Sequence, residues 1–330
     1  MADYKGIKGF KVQSLASDPS NAIEGQVWYN TTTNLLKYTA QTAAWVSGGN
    51  MNTVRTDGSG FGALATAQGQ AGASASPTVF TLNCEQYDGT SWSEVNNMLV
   101  ARRGLGAVGT QTAGIAFSGS IPGGANSSST ENWNGSSWSE VNNQNTAGNG
   151  RAPVGTVSTA ALAVGFPYGI PPQAATEEYD GTSWSTVGSM NDGRGLNKQS
   201  AGITTAGLVW AGDNHPASPR DTTNCEEYNG TAWSEVNNCI NSRRDGAGVG
   251  LQNAAISFGG NNNTVNPVPN SEEYDGTSWA NTTNSPAAPR LNIFSNCGGT
   301  STAALQCTGA LTNTVEEYAL APTTKTVTVS

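Results

Sequence analysis

The segment Glu177-Glu178-Tyr179-Asp180-Gly181-Thr182-Ser183-Trp184 recurs with small changes in five copies, and this repetition decides the fold. The copies end in tryptophans spaced 46, 46, 49 and 46 residues apart: Trp92, Trp138, Trp184, Trp233 and Trp279. Two incomplete copies flank them. Tyr38 and Trp45 form a degenerate first copy, and Glu316-Glu317-Tyr318 form a last copy without its tryptophan. A fixed period of this length is typical of repeat architectures.

Each copy predicts a β-hairpin. Asp-Gly or Asn-Gly stands at its centre, as in Asp180-Gly181, and glycine accepts a positive φ at no steric cost. The tyrosine and tryptophan on either side of the turn can pack across the strand pair, where such pairs add about 0.2–1 kcal/mol each.

A second recurring stretch lies between the hairpins. It has an arginine about ten residues after the tryptophan, then a Gly/Ala-rich run, then a short apolar strand that ends in glycine. These strands are 114–119, 160–165, 207–212, 254–259 and 304–309. A unit of about 45 residues therefore holds four short strands, which is the content of one β-propeller blade.

The repeat resembles the kelch family over roughly residues 38–320. The resemblance rests on the apolar strand ending in Phe258-Gly259-Gly260, on the Glu-Glu-Tyr-Asp strand after a variable loop, and on the tryptophan that opens the next strand. Other repeats read Ser-Gly, Ala-Gly or Thr-Gly, so the match is to a divergent branch. The resemblance implies an all-β fold, a kelch-like β-propeller with small residues lining its central channel.

The repeat count predicts a six-bladed propeller over residues 38–330. The arginine-to-tyrosine stretches are 55–87, 102–133, 151–179, 194–228, 243–274 and 290–318. The last stretch lacks a tryptophan strand, whereas Trp45 has no inner strands before it. We expect Ala44-Trp45-Val46 to complete the blade of Tyr318, because joining the two chain ends in one blade removes exposed sheet edges.

Residues 1–37 lie outside the repeat. The run from Glu24 to Tyr38 alternates like two short strands around a Thr/Asn turn. Its Gly-x-Val-Trp-Tyr-Asn segment resembles one common near the N-terminus of bacteriophage structural proteins, tail and head fibres especially. The resemblance implies an attachment segment with Phe10, Trp28 and Tyr29 as attachment residues. The alternative is an extra hairpin that packs beside the propeller.

The composition limits the classes of partner that the protein can bind. Charged residues make up only 12% of the 330 residues, and the net charge is −9 with the few positive charges scattered. This argues against nucleic acid, which needs a clustered basic face, and against anionic membrane surfaces. No run of 18 apolar residues and no secretory signal occurs, so we expect no membrane insertion.

The five cysteines are an odd number without a Cys-x-x-Cys pair, which predicts free buried thiols in a protein made in a reducing cytoplasm. The rest of the composition is typical of an exposed, adhesive surface protein. A virion protein satisfies both observations, since it is made in the host cytoplasm and works outside the cell.

Enzymatic chemistry finds little support. His215 is the only histidine, which excludes the two-histidine copper-radical site of some kelch oxidases and most zinc, copper and haem chemistry. Sialidase boxes read Ser-x-Asp-x-Gly-x-x-Trp, whereas here glycine directly follows aspartate. A glycosidase needs two acids in one cleft, but the acids here recur in every repeat and are interpreted as structural. We expect no catalytic residues, no cofactor and no metal. Calcium at Asp213-Asn214 or Asn261–Asn263 is the alternative to plain turn chemistry.

One arginine recurs in each blade: Arg55, Arg102, Arg151, Arg194, Arg243 and Arg290. One interpretation is a ring at a channel mouth that binds an anion or glycan, with Arg102, Arg194 and Arg243 as candidate ligand residues. The other is a staple in which each guanidinium bonds a neighbouring blade.

The loops between the apolar strand and the Glu-Glu-Tyr strand differ in length and content. Recognition often lies in variable loops on a rigid scaffold. Tyr168, His215 and Asn262 offer stacking faces and amides there, although such loops can also dock on a neighbouring subunit.

The resulting expectation is a non-enzymatic bacteriophage virion structural protein, a fibre or decoration component. It displays a propeller for adhesion to a host surface or glycan, binds other virion proteins through its N-terminal segment and is homo-oligomeric in the particle. The alternative is a cellular kelch-type protein–protein interaction module.

Overall fold

The computed structural model of the chain describes residues 12–64, 67–76, 79–166, 173–214, 219–262, 264, 268–283, 296–307 and 313–327. Within these ranges the protein is all-β, as predicted, and no residue is helical. Among these same residues no helix with the length and apolarity of a membrane span is found.

The strands have the following bounds: β1 Gln13–Leu15, β2 Val27–Asn30, β3 Leu35–Ser47, β4 Ser59–Leu64, β5 Ala67–Ala71, β6 Ala73–Ser76, β7 Val79–Thr81, β8 Cys84–Tyr87, β9 Trp92–Val95, β10 Gly106–Thr110, β11 Ala113–Phe117, β12 Thr130–Trp133, β13 Trp138–Val141, β14 Ala152–Val157, β15 Ala160–Phe166, β16 Gln173–Tyr179, β17 Trp184–Val187, β18 Ser200–Ile203, β19 Ala206–Trp210, β20 Cys225–Tyr228, β21 Trp233–Val236, β22 Ala247–Leu251, β23 Ala254–Phe258, β24 Glu272–Tyr274, β25 Trp279–Asn281, β26 Asn296–Thr300, β27 Ala303–Cys307 and β28 Val315–Thr326.

The chain forms two compact units. The first, the terminal unit, combines Met1–Ala44 with Ala319–Ser330, and the second, the repeat unit, is Trp45–Tyr318. Strands β3 and β28 each run through both units. The boundary expected between residues 37 and 38 therefore falls inside β3, and the terminal unit also contains the C-terminal residues.

In the terminal unit, β1 pairs in parallel with β2, and β2 pairs antiparallel with β3 in the register Trp28↔Lys37. The turn between β2 and β3 contains Asn34 at φ +56°. The hairpin predicted around a Thr/Asn turn is therefore confirmed. The other edge of β3 pairs with β28, and there the hydroxyls of Thr42 and Thr323 are 2.5 Å apart.

The repeat unit consists of four-stranded sheets, which we number in chain order. Sheet 1 is β4-β5-β8-β9, with the β6–β7 hairpin inserted between β5 and β8. Sheets 2 to 5 are β10–β13, β14–β17, β18–β21 and β22–β25, each in sequence order and antiparallel. Sheet 6 belongs to a six-stranded sheet in the order β26-β27-β28-β3-β2-β1. Its part within the repeat unit is β26, β27, the Val315–Tyr318 part of β28 and the Trp45–Ser47 part of β3.

The first strands of the sheets lie side by side. β4 contacts β10, and the series continues through β14, β18 and β22 to β26, which contacts β4. Each first strand contains one glycine with a φ between +103° and +151°: Gly62, Gly109, Gly155, Gly202, Gly250 and Gly299. A side chain at Gly202 would place its Cβ 2.2 Å from the carbonyl oxygen of Ala206, so backbone geometry explains this glycine in the strand.

The core lies between sheets and combines the aromatic residues of the repeat with aliphatic side chains. Tyr179 packs across its hairpin on Trp184, with ring centroids 5.2 Å apart, which confirms the cross-strand contact predicted from the repeat. Trp184 also packs on Phe117 of the preceding sheet, at 5.0 Å, and its Nε1 donates to the Thr130 hydroxyl at 3.1 Å. The tryptophan of one sheet thus fastens it to the sheet before.

The hairpin turns have the predicted positive φ at glycine, between +90° and +95° at Gly89, Gly135, Gly181, Gly230 and Gly276. The carboxylate of Asp180 accepts hydrogen bonds from the backbone N–H groups of Thr182 and Ser183, each at 2.8 Å. The loop between the paired residues Tyr179 and Trp184 therefore comprises four residues closed by its own side chain.

Replacing Gly181 with Val is expected to lower the free energy of unfolding by about 1–3 kcal/mol, because a β-branched residue is strained at φ +94°. The new Cβ also lies 3.2 Å from the carbonyl oxygen of Thr159. Urea unfolding measures the change, and Thr182→Val at the exposed next position is the matched control. Equal stabilities of the two variants would contradict the turn geometry.

The cysteines depart from the expectation of free thiols. Cys84, Cys225 and Cys239 are free and buried, but Cys307 is disulfide-bonded. The prediction from the odd count is therefore wrong for Cys307.

Candidate functional site

The recurring arginines are buried in ion pairs with the first glutamate of each Glu-Glu or equivalent pair. In sheet 2, the Arg102 guanidinium donates to Glu131 at 2.8 Å and to the carbonyl oxygen of Ser118 at 2.9 Å. The pairs are Arg55–Glu85, Arg102–Glu131, Arg151–Glu177 at 3.3 Å, Arg194–Glu226 at 2.7 Å and Arg243–Glu272 at 2.6 Å. Burial lowers the pKa of Arg102, and the Glu131 carboxylate opposes that effect.

The same glutamates also hold the segment that leads into their sheet. Glu226 accepts hydrogen bonds from the backbone N–H groups of Asn191 at 2.7 Å and Asp192 at 3.3 Å. Glu131 does the same for Leu99 and Val100. Each pair therefore fixes the connection between consecutive sheets to the third strand of the second one.

This burial decides how the arginine candidates are interpreted. Arg102, Arg194 and Arg243 are each 0% exposed, so a ligand at the surface does not reach their guanidiniums. The staple interpretation fits better, with one correction: the partner glutamate lies in the arginine's own sheet and not in a neighbouring one. Arg290 lies outside the described residues.

The second acid of the pair connects neighbouring sheets. The Tyr274 hydroxyl of sheet 5 donates to Glu227 of sheet 4 at 2.9 Å, and Tyr318 of sheet 6 donates to Glu273 of sheet 5. Tyr87 of sheet 1 donates in the same way to Glu317 of sheet 6. Burial, together with the Glu317 carboxylate, raises the pKa of Tyr87 to about 12. The repeated acids are thus structural, as interpreted from the sequence.

The first strands enclose a cavity of about 270 Å³. All six contribute to its wall through small residues, among them Gly60, Gly109, Gly155, Gly202, Gly250 and Gly299. The lining combines glycine backbone with the apolar side chains of Phe61, Val108, Pro153, Val249 and Leu251 and the hydroxyls of Thr156, Ser200, Thr300 and Ser301.

A set of residues with left-handed backbone connects the starts of the sheets, and we call it the left-handed series: Asp57, Gly104, Gly150, Asn197 and Asp245. Their φ values lie between +52° and +63°. Backbone hydrogen bonds join Gly104 to Asp57, Gly150 to Gly104 and Asn197 to Gly150, at 2.7, 2.7 and 3.0 Å. The Asn197 side chain then donates to the Asp245 carboxylate at 2.7 Å.

Lys198 follows Asn197 of the left-handed series, and its side chain is buried. Its Nζ donates to the carbonyl oxygen of Leu105, at the start of sheet 2. Burial lowers the pKa of Lys198 to about 7, and the nearby Asp57 carboxylate opposes the shift. Burial raises the pKa of Asp57 to about 6, against the attraction of Arg103. A buried amine therefore braces sheet 4 against sheet 2.

Replacing Lys198 with Met is expected to raise the free energy of unfolding at pH 6 by about 1–4 kcal/mol, because burial makes the charged amine costly in the folded protein and methionine carries no charge. The folded protein binds fewer protons than the unfolded chain between pH 7 and 10.5, so the stability of the unmodified protein rises with pH across this window. The variant loses that slope.

Denaturant unfolding at several pH values measures this effect. Lys325→Met, at an exposed position, is the control and should leave the slope unchanged. A large loss of stability in Lys198→Met, with the slope retained, would contradict the assignment.

The remaining loop candidates are placed as follows. Tyr168 and His215 lie outside the described residues. The Asn262 side chain donates to the carbonyl oxygen of Ser242 at 3.0 Å and accepts from the N–H of Thr264 at 2.9 Å, so both ends of its amide hold the loop. The structure does not bring Asn262 together with the three buried arginines as one surface.

Trp28 was predicted to be an attachment residue, and its position in the structure contradicts that prediction. Its ring is 0% exposed, and its Nε1 donates to Asp18 at 3.0 Å, so it packs inside the terminal unit and offers no contact surface. Hydrogen bonds from Lys37, Asn30 and Trp28 lower the pKa of Asp18 to about 2. The Tyr29 hydroxyl donates to Asn34 at 3.2 Å. Phe10 lies outside the described residues.

The variable loop after β19 is held by ion pairs. Arg220 donates to Asp213 at 2.7 Å, and Arg244 contacts Asp221. Asp213 therefore faces a guanidinium rather than an open ligand position. Over the part of the chain that the structure describes, no group of three or more His, Cys, Asp or Glu side chains could hold a metal ion.

No family model matches the chain, and no curated protein matches it.

Proposed function

We propose that the chain is a divergent kelch-like, six-bladed β-propeller that acts without catalysis as a bacteriophage virion component. In this proposal it is a fibre or decoration protein, homo-oligomeric in the particle, that displays the propeller for adhesion to a host-surface glycan or protein. The terminal unit attaches it to other virion proteins.

The six-bladed closure is supported by contacts within the repeat unit. The first strands contact each other in series, and β26 of sheet 6 contacts β4 of sheet 1. The Tyr87–Glu317 hydrogen bond repeats between these two sheets the contact that Tyr274 and Glu227 make between consecutive sheets. Trp45 packs on Tyr318 at 5.1 Å, as expected of an outer strand supplied by the other end of the chain.

The observation that carries the display function is the division between framework and loops. The arginine–glutamate pairs, turn glycines and tryptophan contacts repeat from sheet to sheet, whereas the loops between second and third strands do not. In the loop 120–130 the tip Pro122–Ala125 is exposed while Ser120 and Ser127 are buried. Such a scaffold holds different loops at one end without changing its core.

The attachment role is supported by apolar side chains on the terminal unit. Ile23 is 72% exposed, and Val12, Val27 and Leu35 are also exposed. With Trp28 buried, these four replace it as the contact residues of the proposal. Exposed apolar side chains are among the groups that a protein interface covers.

Particles from cells that produce the chain test the proposal. They are separated on a density gradient, and each fraction is probed with an antibody against the repeat unit. We expect the chain to sediment with the particles and immunogold to label their surface. A chain that stays in the particle-free fraction would contradict the virion role and leave the cellular interaction module as the explanation.

Two variants show which surface attaches the protein to the particle. Ile23→Ser with Leu35→Ser should reduce incorporation into particles, while replacing Pro122–Ala125 by two glycines should leave incorporation unchanged. If the loop variant is the one lost from particles, attachment lies in the loops.

A further inference from the structure

Two free thiols of sheet 4 lie together at the end of one hairpin. Cys225 is the first residue of β20, and Cys239 follows β21, which pairs with β20. Both sulfur atoms lie within hydrogen-bond distance of the same carbonyl oxygen, that of Thr223, at 3.4 and 3.3 Å. The backbone N–H of Cys239 also donates to this oxygen, at 3.0 Å. The two sulfur atoms therefore lie against one oxygen atom.

The pairing of two cysteines is particular to sheet 4 among the sheets with comparable positions. The corresponding residues are Cys84 and Met98 in sheet 1, Thr130 and Gln144 in sheet 2, and Thr176 and Met190 in sheet 3. The framework thus accepts threonine at the first position and methionine at the second. Packing alone does not require sulfhydryl groups at either.

The surroundings shift the pKa values of the two thiols in opposite directions. Burial raises the pKa of the Cys225 thiol, but hydrogen bonding from Cys239 and the charge of Arg194 outweigh burial, and the pKa lies below its ordinary value. Hydrogen bonding to Cys225, together with burial, raises the pKa of Cys239. Thiolate is the species that attacks a disulfide.

We propose that Cys225 and Cys239 form an oxidative modification site, at which a low-molecular-weight disulfide such as oxidised glutathione converts the two thiols into a disulfide. Because Cys225 and Cys239 are only 1% and 4% exposed, the reagent reaches them when the segment after β21 opens locally. The Cys225 thiolate attacks one sulfur of the small disulfide, which forms a mixed disulfide and releases one thiolate that takes up a proton. Cys239 then loses its proton and attacks the Cys225 sulfur, which closes the protein disulfide and releases a second small thiol. Two protein thiols are oxidised and one small disulfide is reduced to two thiols.

The cross-link joins the start of β20 to the segment that leads from sheet 4 into sheet 5. That segment contains Ile240 and Asn241, whose N–H groups are held by Glu272. The disulfide restricts the unfolded chain, which therefore loses less conformational entropy on folding. The oxidised protein should be more stable than the reduced protein. The inference stands independently of the virion role.

The site is tested on the full-length protein. The protein is incubated with oxidised glutathione until the number of free thiols no longer changes. The samples are quenched in acid, alkylated under denaturing conditions and mapped by mass spectrometry. We expect one new peptide pair joined through Cys225 and Cys239, in addition to the disulfide of Cys307 that is present before oxidation. Cys84 should still be alkylated, although it is equally buried. The melting temperature should rise by roughly 5 °C.

Cys225→Thr and Cys239→Met are the matched variants, because both residues already stand at these positions in other sheets. Each variant should fold, keep its remaining thiol after oxidation and show no rise in melting temperature with oxidised glutathione. Both cysteines fully alkylated at the end of the incubation, or carrying glutathione separately without a joined peptide, would overturn the proposal.

Discussion

Glu226→Gln is expected to lower the free energy of unfolding by about 3–5 kcal/mol, because it leaves the Arg194 guanidinium buried without its counter-charge. The substitution keeps the size of the side chain, so lost packing contributes little. It also replaces one acceptor oxygen by an NH₂ group that faces the N–H donors of Asn191 and Asp192. Chemical denaturation of the full chain measures the loss.

The matched control is Glu235→Gln, at the residue that faces Glu226 across the hairpin but is exposed. It should change stability by less than about 0.5 kcal/mol. Combining Glu226→Leu with Arg194→Met removes both charges and should recover much of the stability. A Glu226→Gln protein as stable as the control would show that the repeated pairs are not what holds the sheets.

Gly202→Ala is expected to lower the free energy of unfolding by about 2–4 kcal/mol, through backbone strain and overpacking together. The residue has φ +103°, and the added Cβ would lie 2.2 Å from the Ala206 carbonyl oxygen, which belongs to the backbone of the neighbouring strand. Because the backbone cannot turn aside as a side chain does, the strand pair has to shift. Thermal and urea unfolding both report this loss.

Gly123→Ala is the control that separates the cost of the left-handed backbone conformation from the cost of the Cβ contact with a neighbouring strand. Gly123 has φ +95°, and nothing lies within 4 Å of a Cβ placed there. This variant should lose only about 1–2 kcal/mol, the cost of a left-handed conformation. Equal losses at Gly123 and Gly202 would mean that the first strand does not approach its partner as closely as described.

The sequence predicted those features that depend on neighbours along the chain. The Asp-Gly and Asn-Gly turns predicted hairpins because the positive φ of residues such as Gly181 is a local property. The tyrosine and tryptophan at fixed distances from that turn predicted the cross-strand packing. The period then predicted repeated four-stranded units, since each repeat contains the same strands.

The sequence pattern could not predict contacts between residues that are far apart along the chain. Lys198 contacts the carbonyl oxygen of Leu105, 93 positions away, and nothing near it in sequence indicates this contact. The arginine of each sheet was recognised, but its glutamate partner lies about 30 residues later and in the same sheet. Trp28 was read as a contact residue because exposure cannot be judged from a single strand, whereas Asp18 and the β2–β3 hairpin bury it.

A double-mutant cycle on Tyr87 and Glu317 tests the proposed closure of six sheets into a ring most directly, since these residues join the first sheet to the last. Tyr87→Phe, Glu317→Gln and the double variant are compared with the unmodified protein by urea unfolding. The same cycle on Tyr274 and Glu227 measures the contact between consecutive sheets. The closed ring predicts a coupling of about 1 kcal/mol or more in both cycles. Coupling between Tyr274 and Glu227 but none between Tyr87 and Glu317 would contradict closure.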